Sequence, residues 1–204
     1  MNYIDLIELI KNNCKTAAQE KYIGRLEKNF SIKSEKTLET LENLYASLLV
    51  NKQHQLLIET LPYFLTIKFE GNYNHWYSIE HILEDIYFAI LVIGGNETLE
   101  NQIFCHYKTV YAYINKDGRS NEYAIDIEWN NSRQAIDGFN NEIRYCEEEK
   151  NVQYETSVRS SLIRSIVSMI FLCKIKSLDF DDSLLELANE QLEILTSAKF
   201  KKYI

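Results

Sequence analysis

The sequence predicts an all-α fold, and three observations carry that prediction. Apolar residues recur at intervals of three and four along most of the chain, the period of an amphipathic helix. One proline and six glycines in 204 residues are too few for the many turns of a sheet protein. Capping residues and breakers fall between the periodic segments at a spacing of roughly 20 residues. Hydrophobic residues make up 46% of the chain, enough to fill a core, so about eight packed helices are expected.

Ile4, Ile7, Leu9 and Ile10 open a pattern that runs on through Ala17, Tyr22, Ile23 and Leu26, a first helix or helix pair weakened at Gly24. Ser34 is placed to cap a second, in which Leu38, Leu41, Leu44, Tyr45, Leu48 and Leu49 form the apolar stripe. A third passes through Leu56, Leu57, Leu61 and Phe64, and Pro62 inside it removes a backbone donor, so a kink or restart is expected there. Ser78 is placed to cap a fourth from Ile79 to Ile93, stopped by Gly94 and Gly95.

Asn96 suits the cap of a fifth helix, with Leu99, Ile103, Tyr107, Val110 and Ile114 on one stripe. Residues 104–114 and 122–129 also alternate like strands about an Asp117-Gly118 turn, so a small β-hairpin within residues 104–129 is the competing reading. From Ser132 the positions Ala135, Ile136, Phe139, Ile143 and Cys146 return to helical spacing. Between about Val152 and Lys176 apolar residues cover more than one face, as a central helix requires. Ser183 and Glu186 have capping-box spacing and open the last helix through Leu187, Leu192 and Leu195. No linker-like composition divides the chain, so residues 1–204 are expected to form a single helical domain.

The amino-terminal stretch carries Asp5 and Glu8 within its apolar run and does not read as a signal peptide. The longest strongly apolar run, Ile86 to Ile93, is too short to span a bilayer. Cys14, Cys105, Cys146 and Cys173 form no paired motif and suit scattered reduced thiols. A cytoplasmic location without membrane attachment is the expectation. Thirty acids against 22 bases give a net charge of -8, the wrong sign for direct nucleic-acid binding, which depends on Lys and Arg displacing counterions. Residues 117–155 hold ten acids against four bases, so most of the excess sits in one segment.

His75, Trp76, Tyr77, Glu80, His81, Glu84 and Asp85 form the densest run of chemically capable side chains. His81 shares a helical face with Glu84 and Asp85, but neither Glu-x-x-His nor His-Glu-x-x-His occurs, so a metal and a cofactor are not expected. An all-helical enzyme using His75, His81 and Glu84 ranks third among the functional readings. Cys105 beside His106 lacks the geometry of a thiolate pair on a helix, since neighbours point about 100 degrees apart. No catalytic residue is expected. Arg159 and Arg164, set among serines in the penultimate helix, are read as partners for the acidic segment.

That segment also holds or adjoins Tyr111, Tyr113, Tyr123, Trp129, Tyr145 and Tyr154, and aromatic anchors among carboxylates suit a basic protein partner. An acidic, helical chain of this kind, above all over Tyr123 to Trp129 and Asp137 to Glu149, resembles the immunity proteins that bacteria pair with toxins. The resemblance implies tight binding of one cognate toxin domain, a basic nuclease being the type that the charge suits, and no catalysis. Tyr123, Asp126, Glu128, Trp129, Asp137, Glu142, Glu147 and Glu148 are the partner-binding residues it points to. The alternative is a helical-hairpin adaptor that holds a peptide or helix of a partner.

Overall fold

The computed structural model describes residues 1–28, 31, 34–68, 76–114 and 122–201, with side chains described except at 111–129 and 201. Ten helices and no strand occur among the described residues. They fall into two compact units, residues 1–116 and 117–204; the sequence carries no linker signal at that division.

The first unit contains α1 (Tyr3–Lys11), α2 (Ala17–Lys28), α3 (Glu35–Val50), α4 (His54–Phe64), α5 (Tyr77–Val92) and α6 (Glu97–Ile114). The first two are separate helices, α1 opened by a capping box in which Asn2 and Asp5 exchange hydrogen bonds of 2.9 and 3.0 Å. The α3 helix packs on α2, α4 and α5, and α5 also packs on α4 and α6. Ile79, Ile82, Leu83, Ile86, Tyr87, Phe88, Ala89 and Ile90 are all buried, because α5 is apolar nearly all round and is enclosed by neighbours on several sides. Its end follows the two glycines: Gly94 and Gly95 take φ values of 105 and 77°, and the Gly95 amide closes on the Ile90 carbonyl at 2.9 Å.

Pro62 does not divide α4, which runs unbroken to Phe64 and ends two residues after the proline. At that position the proline removes only the bond that its amide would make to the Ile58 carbonyl in the last turns of the helix. The β-hairpin within residues 104–129 is not formed: residues 104–114 belong to α6 and 122–129 to the next helix, while the Asp117-Gly118 turn lies outside the described residues. The deciding feature is the stripe Ile103, Tyr107 and Val110, buried along one face of α6, which packs on α5 only if the segment is helical.

The second unit contains α7 (Glu122–Glu148), α8 (Val152–Lys176), α9 (Asp182–Leu195) and the short α10 (Ala198–Lys201). The α8 helix packs on the other three, in the central position that its apolar coverage predicts. Asn151 caps it, accepting from the Tyr154 amide at 3.2 Å. At its far end Ser177 adopts the left-handed conformation, φ 54°.

Two expected caps are displaced. Asp181, not Ser183, caps α9, accepting from the Ser183 amide at 3.0 Å. Ser78 lies inside α5, and its hydroxyl donates to Glu42 of α3 at 2.8 Å. In each case the serine hydroxyl donates to a carboxylate, Glu42 or Asp181, and the N-cap position falls two residues earlier, at Trp76 and Asp181. Ser34 stands at the N-cap of α3 but makes no side-chain cap bond.

Candidate acidic binding face

The acidic segment is borne by α7, and helical spacing divides it into two faces. Ile136, Ile143 and Cys146 are buried, whereas Asp137, Glu142, Glu147, Glu148 and Glu149 point to solvent. Cys146 is a core side chain, and burial, reinforced by Glu155 and Glu142 nearby, pushes its thiol up.

Behind the face lies a buried ionic knot. Arg159 of α8 is 3% exposed. Its Nε and Nη2 donate to Glu155 Oε1 at 3.0 and 2.7 Å. Nη2 also reaches Glu147 Oε1 at 2.7 Å, Nη1 donates to Gln191 of α9, and the guanidinium lies 5.7 Å from the centre of the Phe200 ring. Lys199 Nζ completes the group at 3.0 Å from Glu155 Oε2. The expected pairing of Arg159 with the acidic segment is thus present, through Glu147. Four protein groups around one guanidinium leave it no free fork for an outside anion.

On the outer face Tyr145 and Tyr154 are 60% and 46% exposed. The Tyr154 hydroxyl donates to Glu142 Oε2 at 3.0 Å, which links the start of α8 to the last two turns of α7. A phenol and a carboxylate are therefore already oriented together at the surface.

The structure places the eight predicted binding residues as follows. Tyr123, Asp126, Glu128 and Trp129 lie on the first turns of α7, with side chains outside the described residues. Asp137 lines a cleft, Glu142 is paired with Tyr154, Glu147 is held by Arg159, and Glu148 is exposed. Sequence reasoning missed the cleft, lined by Arg133, Ile136, Asp137, Met169, Cys173, Asp179, Phe180, Asp181 and Leu184. A signal was available in the run Asp179-Phe180-Asp181-Asp182, an aromatic ring among three acids just beyond an apolar helix.

The second cluster of interest, at the start of α5, is knitted to its own unit. Glu42 Oε1 lies 2.9 Å from His81 Nδ1, and Tyr107 of α6 donates to Glu80 Oε1 at 2.9 Å. Glu84 and Asp85 are each 2% exposed, and His75 lies outside the described residues. Among the described residues no three His, Cys, Asp or Glu side chains are grouped to hold a metal ion, and no helix is long and apolar enough to cross a membrane. His106 hydrogen-bonds to the backbone of Phe64, and burial holds its pKa below the usual histidine value.

The second unit is therefore a helical unit with an acidic, tyrosine-bearing face. A family of unknown function (DUF6707) matches residues 4–98, a span that lies within the first unit. No curated protein matches the chain, and no solved structure matches it.

Proposed function

We propose that this chain is an immunity-type inhibitor that binds a basic toxin domain through the outer face of α7 and the start of α8. The exposure of Tyr145 and Tyr154 among the carboxylates Glu142, Glu148 and Glu149 carries the reading. At protein interfaces exposed aromatic side chains are common anchors, and those that act as hot spots cost about 2 kcal/mol or more on truncation. Carboxylates around them raise the rate of encounter with a cationic surface and disfavour acidic competitors. Tyr123, Asp126, Glu128 and Trp129 extend the same acidic segment toward the start of α7.

The test is capture of partners by the tagged full chain from its native cell, followed by an activity assay of any protein recovered in near-equal amount. A toxic enzyme silenced by the chain, and released by Tyr145→Ala/Tyr154→Ala or by reversing Glu142 and Glu148, is the expected result. Capture that survives both variants, or a partner without toxic activity, overturns the proposal; the second outcome moves the chain to the adaptor class.

A further inference from the structure

We propose that the cleft formed by α7, the end of α8 and the approach to α9 is a socket for one arginine side chain of a basic partner protein. This inference rests on the reading above that the partner is basic. The cleft has a volume of about 340 Å³, at the small end of the range for ligand clefts of roughly 300–1,000 Å³. Its floor is apolar: Ile136 and Met169 line it, each buried to within a few per cent. Acidic residues also line the cleft, Asp137 from α7 and Asp179 and Asp181, the neighbours of Phe180 in the chain. Arg133 lines it too and already has a partner of its own.

An arginine matches these parts in order. Its methylene stem covers apolar surface while the charged head stays at the mouth. The flat guanidinium stacks on an aromatic face and donates in pairs to carboxylates, which a compact ammonium does not do. Asp181 is partly committed to α9, because its Oδ1 accepts from the Ser183 amide at 3.0 Å and hydroxyl at 2.7 Å. Asp137 and Asp179, both exposed, are the acids left to receive the guanidinium. Asp137 also belongs to the acidic face, so one partner can engage both.

The experiment uses the full ¹⁵N-labelled chain titrated with N-acetyl-arginine methylamide and, in parallel, with the citrulline derivative, which has the same shape and no charge. The arginine probe is expected to shift the amides of Ile136, Met169 and Phe180, with citrulline at least about tenfold weaker. Asp137→Asn/Asp179→Asn is expected to lose the preference while remaining folded, since both side chains are exposed. Equal binding of citrulline, shifts elsewhere in the chain, or no shifts at all overturns the socket. Probe titration and partner capture, both made with the unsubstituted full chain, separate the two readings. Probe binding without partner capture removes the basic-partner reading and supports the arginine site; partner capture without probe binding removes the socket alone.

Discussion

Replacing Arg159 by methionine is expected to cost the second unit about 3–5 kcal/mol, the range for removing one member of a buried ion pair. The magnitude follows from what is left behind. Glu155 is 1% exposed and loses both guanidinium contacts, at 3.0 and 2.7 Å. Lys199 remains 3.0 Å from its other oxygen, which places the loss toward the lower end. Gln191, 6% exposed, loses the donor that its carbonyl accepts. Methionine keeps much of the apolar stem, so truncated packing contributes little. Urea unfolding gives the free energy, and hydrogen exchange of the α8 amides assigns the loss to residues 117–204. The double variant Arg159→Met/Glu155→Gln is expected to regain at least half of it, since the dominant cost is a buried carboxylate without its cation. A single-variant loss below about 1 kcal/mol, the size of an ordinary hydrogen bond, would refute the reasoning. So would a double variant worse than the single one.

Gly24→Ala in α2 and Gly138→Ala in α7 are each expected to stabilise the chain by about 0.5–1 kcal/mol, because an added Cβ meets nothing within 4 Å at either site; thermal unfolding reads the change, and destabilisation by either variant contradicts it. Stability is expected to fall as pH drops through about 6.5, the unperturbed histidine value. The folded chain keeps His106 neutral where the unfolded chain protonates it, so the unfolded state binds the extra proton and is favoured until the folded value is passed. His106→Gln keeps a donor for Phe64 and should flatten this part of the profile, checked by unfolding at several pH values. Tyr145→Ala and Tyr154→Ala are expected to leave stability within about 0.5 kcal/mol, since both rings are exposed; a larger loss in circular-dichroism melts would show that they serve the fold.

Much of the architecture is legible from periodicity, and the reasons are local. The stripes Leu38, Leu41, Leu44, Leu48 and Ile103, Tyr107, Val110 are buried as written, and Gly94-Gly95 ends a helix through backbone angles that few other residues adopt. The acidic segment is equally plain, because a charge excess needs no fold to be counted. The competing strand reading of 104–129 arises because alternation and helical spacing overlap in short runs, and only the partner helix decides between them. The serine caps expected at Ser78 and Ser183 are displaced, because the helices begin earlier and their N-caps are Trp76 and Asp181.

The sequence by itself determined that this chain is helical, where most helices begin and end, and that its negative charge is concentrated near α7. Helix formation depends on residues within a few turns of one another, so a linear reading reaches it. Tertiary structure alone decided the fate of the individual acids. Glu147 and Glu155 are gathered onto Arg159, Glu142 is tied to Tyr154, and Asp137 meets Phe180 and Asp179 around an apolar floor. Apart from the Glu155–Arg159 pair, which is one helical turn apart, these groupings join residues 12 to more than 40 positions apart, and such distances close only when the packing of one helix on another makes burial of their apolar faces favourable.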